Sequence, residues 1–132
     1  GWRSERACWS SRCASRYALR YHERGQGYCD ADVVAFPSTY EGCGMPVSEA
    51  QATGRTVVTS ARAPMDEVAG GAACLVDPDD VASIRAGIER VLSDADYRAG
   101  LVAAGFVNRE RFRPALQARQ YAEIYRAMAA GE

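Results

Sequence analysis

From residue 30 onward, short apolar or β-branched runs alternate with helix-length segments, and glycine or proline marks most of the changes. That alternation restricts the fold more than any other feature, because strands joined through helices run parallel and are covered by those helices. Residues 32–36 (Asp-Val-Val-Ala-Phe) are closed by Pro37 and read as a buried strand. Residues 46–53 read as a helix, with Pro46 in its first turn and Gly54 at its C-terminal stop. A second strand is expected over 56–59 (Thr-Val-Val-Thr), a short helix over 65–69 before Gly70-Gly71, and a third strand over 73–76. The expected class is α/β, a parallel sheet with flanking helices.

The remainder reads as helical. Asp77-Pro78-Asp79-Asp80 combines a capping Asp, a proline suited to the first helical position and acids near the positive helix end. Val81, Ile84, Ile88, Val91 and Leu92 then repeat at helical spacing. A further helix is expected from Asp94 through Tyr97, Leu101 and Val102, with a break near Gly105. Pro114 opens a last helix, on which Ala118, Tyr121, Ala122, Tyr125 and Met128 share a packing face.

Residues 1–27 show neither periodicity and are left as an unassigned basic arm, disordered or aberrant in sequence, ahead of a domain over 28–132. A total of 132 residues, 48% hydrophobic and 25% charged, suits one globular domain. All 16 basic residues are arginine, and residues 1–29 hold six of them against Glu5 and Glu23. Such an arm can attract nucleic acid. It carries no recognisable binding module, so no nucleic-acid partner is expected. No run of 18 apolar residues is present to span a membrane. Cys8, Cys13, Cys29, Cys43 and Cys74 are odd in number and irregular in spacing, which favours reduced thiols. Cys8, Cys13, His22 and Cys29 match no paired zinc-ligand spacing, and no metal is expected. The opening Gly1-Trp2-Arg3, without methionine, reads as a fragment.

The segment that carries chemistry is 38–50, Ser-Thr-Tyr-Glu-Gly-Cys-Gly-Met-Pro-Val-Ser-Glu-Ala, running from a strand into a helix. Ligands gather at that edge of open parallel sheets. Gly42 and Gly44 let backbone approach a ligand closely. Amides at the helix start, near Gly44 to Val47, form an anion site suited to a diphosphate. Glu41 and Glu49 flank it. Neither binds phosphate directly, since like charges repel, but carboxylates accept well from hydroxyls. The ligand inferred has a central diphosphate with hydroxylated rings on either side, as in a nucleotide-sugar.

Glu41-Gly42-Cys43-Gly44-Met45-Pro46-x-x-Glu49-Ala50 resembles the signature of retaining glycosyltransferase family 4. The likeness extends through Ala31–Ser38, Gly54–Ser60, Asp66–Gly70 and Leu75–Asp80, covering about residues 28–128. It implies a Rossmann-like sheet forming the C-terminal, donor-binding half of a GT-B fold. It implies that Glu41 lies beside the donor sugar and positions charge in the transition state, and that Glu49 binds the nucleotide ribose. Gly42, Cys43, Gly44, Met45 and Pro46 are implied donor contacts. No cofactor and no metal are implied, the nucleotide-sugar being a substrate. A hexosyl or mannosyl group would pass with retention to a glycan or lipid-linked acceptor in cell-surface polysaccharide synthesis. The setting implied is bacterial and cytoplasmic, peripheral at the inner membrane face.

Cys43 stands where an aromatic is common, and Gln51, Thr53 and Thr56 also depart from the family pattern. No counterpart of the family's phosphate-holding Arg/Lys pair is found upstream of residue 28, and the N-terminal acceptor domain is missing. Competing readings are a noncatalytic nucleotide-binding module or truncated remnant, and a GT-B-like sugar-nucleotide epimerase. Asp77-Pro78-Asp79 has the form of an Asp-x-Asp metal motif, but its place at a helix start favours capping.

Overall fold

A computed structural model describes residues 24–131. The expectations for the arm before residue 24, including Cys8, Cys13 and His22, lie outside the described residues. Three strands form one parallel sheet in the order β1 (Val33–Phe36), β2 (Thr56–Ser60), β3 (Cys74–Val76). Val33 to Phe36 align with Thr56 to Thr59, and Val58 to Ser60 with Cys74 to Val76. The helices are α1 (Arg24–Asp30), α2 (Met45–Ala52), α3 (Met65–Ala69), α4 (Val81–Ser93), α5 (Ala95–Asn108) and α6 (Pro114–Ala130), with a 3₁₀ turn at Arg109–Phe112 before α6. The expected α/β parallel sheet with flanking helices is therefore present.

The central strand is buried at all five positions, as a β-branched run covered on both faces should be. Its alternation divides the core. Val57 packs with Val47, Ala50, Met65 and Ala69, whereas Val58 packs with Cys74, Val76, Val91 and Leu101. Each buried valine is worth about 1.5–3 kcal/mol relative to exposure.

Four expectations for the second half change. The cap of α4 is Asp80, whose carboxylate accepts from the Ala82 amide at 2.9 Å. Asp77 instead accepts from the Asp79 amide at 3.0 Å and shapes the loop before the helix, so Pro78 precedes α4 rather than opening it. The stripe on α4 is narrower than its spacing suggests: Val91 is buried and Ile84 and Ile88 half-buried, but Val81 is 80% exposed and Leu92 also faces solvent. No break occurs near Gly105. The helix runs on to Asn108, and Gly105 is buried where an added methyl would lie 3.2 Å from Gln51 Cγ. Finally, α6 forms as expected but buries no residue among those described, so its aromatic face is exposed.

A buried polar cluster fixes α2, the helix that carries Glu49. Gln51 is 1% exposed and donates to the carbonyls of Ala69 and Ala72 at 3.0 and 3.2 Å. Asn108 Nδ2 donates to Gln51 Oε1 at 2.8 Å and to Val68 O at 2.7 Å. Arg111 donates to Asn108 Oδ1 at 2.9 Å and to Glu67 O at 3.2 Å. Side chains from three elements thus satisfy carbonyls of the five-residue α3 and of the turn that follows it.

Candidate functional site

The loop 37–44 leaves the C-terminal end of β1 and enters α2, at the edge expected for a ligand. Its base is pinned. The Ser38 amide bonds to Phe36 O at 2.9 Å, the Ser60 hydroxyl donates to Ser38 O, and the Ser38 hydroxyl donates to Tyr40 O at 3.0 Å.

Gly44 is the N-cap of α2 in a left-handed conformation, φ 66° and ψ 33°. It is buried, and a methyl added there would meet Met65 Cε at 2.5 Å. Glycine at 44 is therefore demanded by the protein itself. At Gly42 nothing lies within 4 Å of such a methyl.

Fewer amides are available at the helix start than its sequence suggests. Pro46 has no N–H, and the Val47 amide turns back to Gly44 O at 3.0 Å. The donors left without an intrahelical acceptor are those nearer Gly44 and Met45. Cys43 and Met45 are exposed, and Pro46 is half-buried.

The two carboxylates occupy different settings. Glu49, half-buried on α2, accepts from the Tyr28 hydroxyl at 2.9 Å. Tyr28 sits on α1, 21 residues away, and no local sequence signal marks it. Glu41 is half-buried on the loop, and its carboxylate has no hydrogen-bond or ion-pair partner among the described residues.

A cleft of about 540 Å³ runs beside α2, lined by Cys43, Met45, Ser48, Glu49, Phe112 and Arg113 among others. It gathers Cys43, Met45 and Glu49, but not Glu41, Gly42, Gly44 or Pro46. Arg109 and Arg113 bring positive charge to its far wall, which sequence reading did not assign to the site. Glu110 pairs with both, through Arg113 Nε and, at 3.5 Å, through Arg109 Nε. A larger cleft of about 630 Å³, lined by Asp32, Arg55, Thr56, Arg98 and Phe106, opens beside the N-terminal ends of β1 and β2. That is the wrong edge for a ligand of an open parallel sheet, and no candidate site residue lines it.

Asp77 and Asp79 already have a cation: Arg62 lies 2.6 Å from Asp79 and 3.5 Å from Asp77. Among the described residues no group of three His, Cys, Asp or Glu gathers in a way that could hold a metal ion. No helix of the described residues is long and apolar enough to cross a membrane.

The family described as glycosyl transferases group 1 matches residues 17–94, which begins inside the segment that periodicity left unassigned. The O-antigen chain mannosyltransferase B of Escherichia coli is 38% identical over 64% of this chain and 22% of its own length. The D-inositol 3-phosphate glycosyltransferase of Corynebacterium urealyticum is 33% identical over 76% of this chain and 24% of its own. Among solved structures, sucrose-phosphate synthase from Thermosynechococcus elongatus superposes with a TM-score of 0.68 at 30% identity, over 80% of this chain and 27% of that one. The expected fold, a Rossmann-like part of a GT-B architecture, is thereby borne out. This chain spans about a quarter of the length of the relatives it matches.

Proposed function

This chain belongs to the group 1 glycosyl transferases, and from that premise we propose that its β1–α2 loop is the donor half of a retaining sugar-transfer site. The observation that carries the reading is the pair Glu41 and Glu49 on either side of a glycine loop that enters a helix through left-handed Gly44. The donor's diphosphate lies against the amides near Gly44 and Met45, with Gly42, Cys43 and Pro46 in contact. Glu49, oriented by Tyr28, accepts from the ribose diol. Glu41 lies beside the donor sugar, where a negative charge favours the developing positive charge at the anomeric carbon. No metal step enters.

The group transferred is a hexose of the mannosyl type, passed with retention to a glycan or lipid-linked acceptor during surface polysaccharide synthesis on the cytoplasmic side. The name of the Escherichia coli relative, an O-antigen chain mannosyltransferase, supports that choice. Acceptor transfer needs a second domain facing this one, because orientation of two reactants supplies up to roughly 7–11 kcal/mol of such a barrier.

The deciding experiment titrates the chain with GDP-mannose and UDP-glucose, following backbone amides by NMR and watching for donor hydrolysis. Shifts centred on 41–49 support the reading. Binding without hydrolysis or transfer, even after a companion domain is supplied, would make the chain a nucleotide-binding module. Absence of binding to either donor would remove the donor-site assignment.

A further inference from the structure

The cleft beside α2 gathers positive helix ends as well as positive side chains. Met45, the first residue of α2, and Pro114, the first of α6, both line it, so two helices start at its walls and bring the positive ends of their dipoles to one space. Arg109 and Arg113 line the α6 side, and Glu110, paired with both, leaves one positive charge over. The two guanidiniums are not equally free. Arg109 has its Nε on Glu110 at 3.5 Å and donates through Nη1 to Ala52 O at 3.1 Å, and its Cζ stands 4.9 Å from the centroid of the Phe106 ring. Arg113 has its Nε on Glu110, and its two Nη groups have no partner among the described residues. The open end of that fork is the geometry that takes two oxygens of one phosphate.

We propose that Arg113 is a substrate-contact residue, binding the donor's diphosphate from the α6 side of the cleft. The inference rests on the donor-site reading, and that reading creates the need for it. A diphosphate ester carries a charge on each phosphate. The segment 37–50 offers no basic residue, Pro46 has no N–H, and the Val47 amide is turned back to Gly44 O. The amides near Gly44 and Met45 are too few to match both phosphates alone. Cys43 and Met45 line the same cleft as Arg113, and so does Glu49, the ribose acceptor in that reading. A phosphate between Met45 and the ribose therefore lies in the space that Arg113 borders. Glu49 repels phosphate there, which makes a facing guanidinium the more necessary.

The test is calorimetric titration of GDP into this chain and into Arg113→Gln, Arg113→Lys and Arg85→Gln. The last is a control that removes an exposed arginine of α4, paired with Glu89. Arg113→Gln should weaken GDP about tenfold. Arg113→Lys should recover part of that loss, and Arg85→Gln should bind GDP as the unsubstituted chain does. Added salt should weaken GDP binding less steeply in Arg113→Gln than in the unsubstituted chain, a difference that a purely structural role would not produce. In the longer enzyme, Arg113→Gln should raise the donor KM about tenfold and leave kcat within about twofold. Equal GDP affinity in Arg113→Gln and the unsubstituted chain overturns the proposal and leaves the donor site standing. Weaker binding with an unchanged salt dependence and a lower Tm means that the side chain only supports the fold, and also overturns it. If GDP does not bind the unsubstituted chain, the donor-site reading falls and the role of Arg113 falls with it.

Discussion

Gly42 and Gly44 lie two residues apart in sequence and differ by a large free energy in what the fold asks of them, and substituting each by alanine should separate folding from binding. At Gly44 the left-handed backbone costs an L-residue about 1–2 kcal/mol. The new methyl would also stand 2.5 Å from Met65 Cε and 3.2 Å from Met65 Sδ. Met65 is 1% exposed, so the thioether has little room to retreat, and overpacking of this kind costs about 1–3 kcal/mol. Gly44→Ala should therefore lose about 2–5 kcal/mol, a large share of the roughly 5–15 kcal/mol that holds a small domain together. Gly44→Asn should recover about 1 kcal/mol of that loss, because asparagine tolerates the left-handed region while its Cβ still meets Met65. Gly42→Ala meets no atom within 4 Å, and its stability should stay within about 0.5 kcal/mol. Its effect should appear only in donor affinity, where a methyl obstructs the close approach. Urea unfolding by circular dichroism and calorimetric titration with GDP-mannose or UDP-glucose measure the two quantities. Equal stability of the two alanine variants, or undiminished donor affinity in Gly42→Ala, would refute the division of roles.

In a protein restored to the length of its relatives, Glu41→Gln should slow transfer far more than it weakens nucleotide binding. Glu49→Gln should mainly weaken the nucleotide, by about 1.5–3 kcal/mol for a lost charged hydrogen bond; steady-state kinetics with donor titration checks both, and matching effects would contradict the assignment. Asn108→Ala leaves buried Gln51 Oε1 without the 2.8 Å donor it now has, and denaturant unfolding should show a loss of about 1–3 kcal/mol. Burial, with a hydrogen bond and charge coupling to Cys74, raises the Tyr97 hydroxyl above its ordinary value near 10. The unfolded chain then releases that proton first, so stability should be fully present below pH about 10 and fall as pH rises through the folded value. Tyr97→Phe should flatten that alkaline arm in a pH series of unfolding curves. Along α6, where Tyr121, Tyr125 and Met128 are exposed, amides of 114–130 should exchange quickly or the chain should self-associate with concentration. Protection equal to that of β1 in a monomer would contradict this.

What the sequence made legible was local. β-branched runs placed the strands to within a residue or so, and Pro46 and Pro114 marked helix starts because a missing N–H is tolerated only there. The glycine loop was legible for the same reason, since strand, turn and helix start are neighbours in the chain. Features decided across the fold were not. Gly105 reads equally as a helix break or a close contact until Gln51, far away in sequence, is known to lie against it. Met65 under Gly44 and Tyr28 on Glu49 each join residues 21 positions apart, and neither pair leaves a periodic trace. Three aspartates in four residues all suit a helix start; only the loop conformation shows Asp80 capping while Asp77 holds the Asp79 amide.

The acids show why residue type alone underdetermines a site. Asp77 and Asp79 have the spacing of a metal motif, yet Arg62 supplies the neighbouring positive charge and the fold gains a loop-to-loop tie. Exposed pairs of that kind are worth at most about 1 kcal/mol, but they leave no unmet demand for a ligand. Glu49 has no cation beside it among the described residues; its partner Tyr28 is a hydroxyl that orients one oxygen. Glu41 has less still: it is half-buried on the loop and has no partner among the described residues. A local rule broken without gain to the fold is expected at a functional site. On the proposed donor-site reading, hydroxyls of a polyhydroxylated donor would bond to Glu41 and to the second oxygen of Glu49.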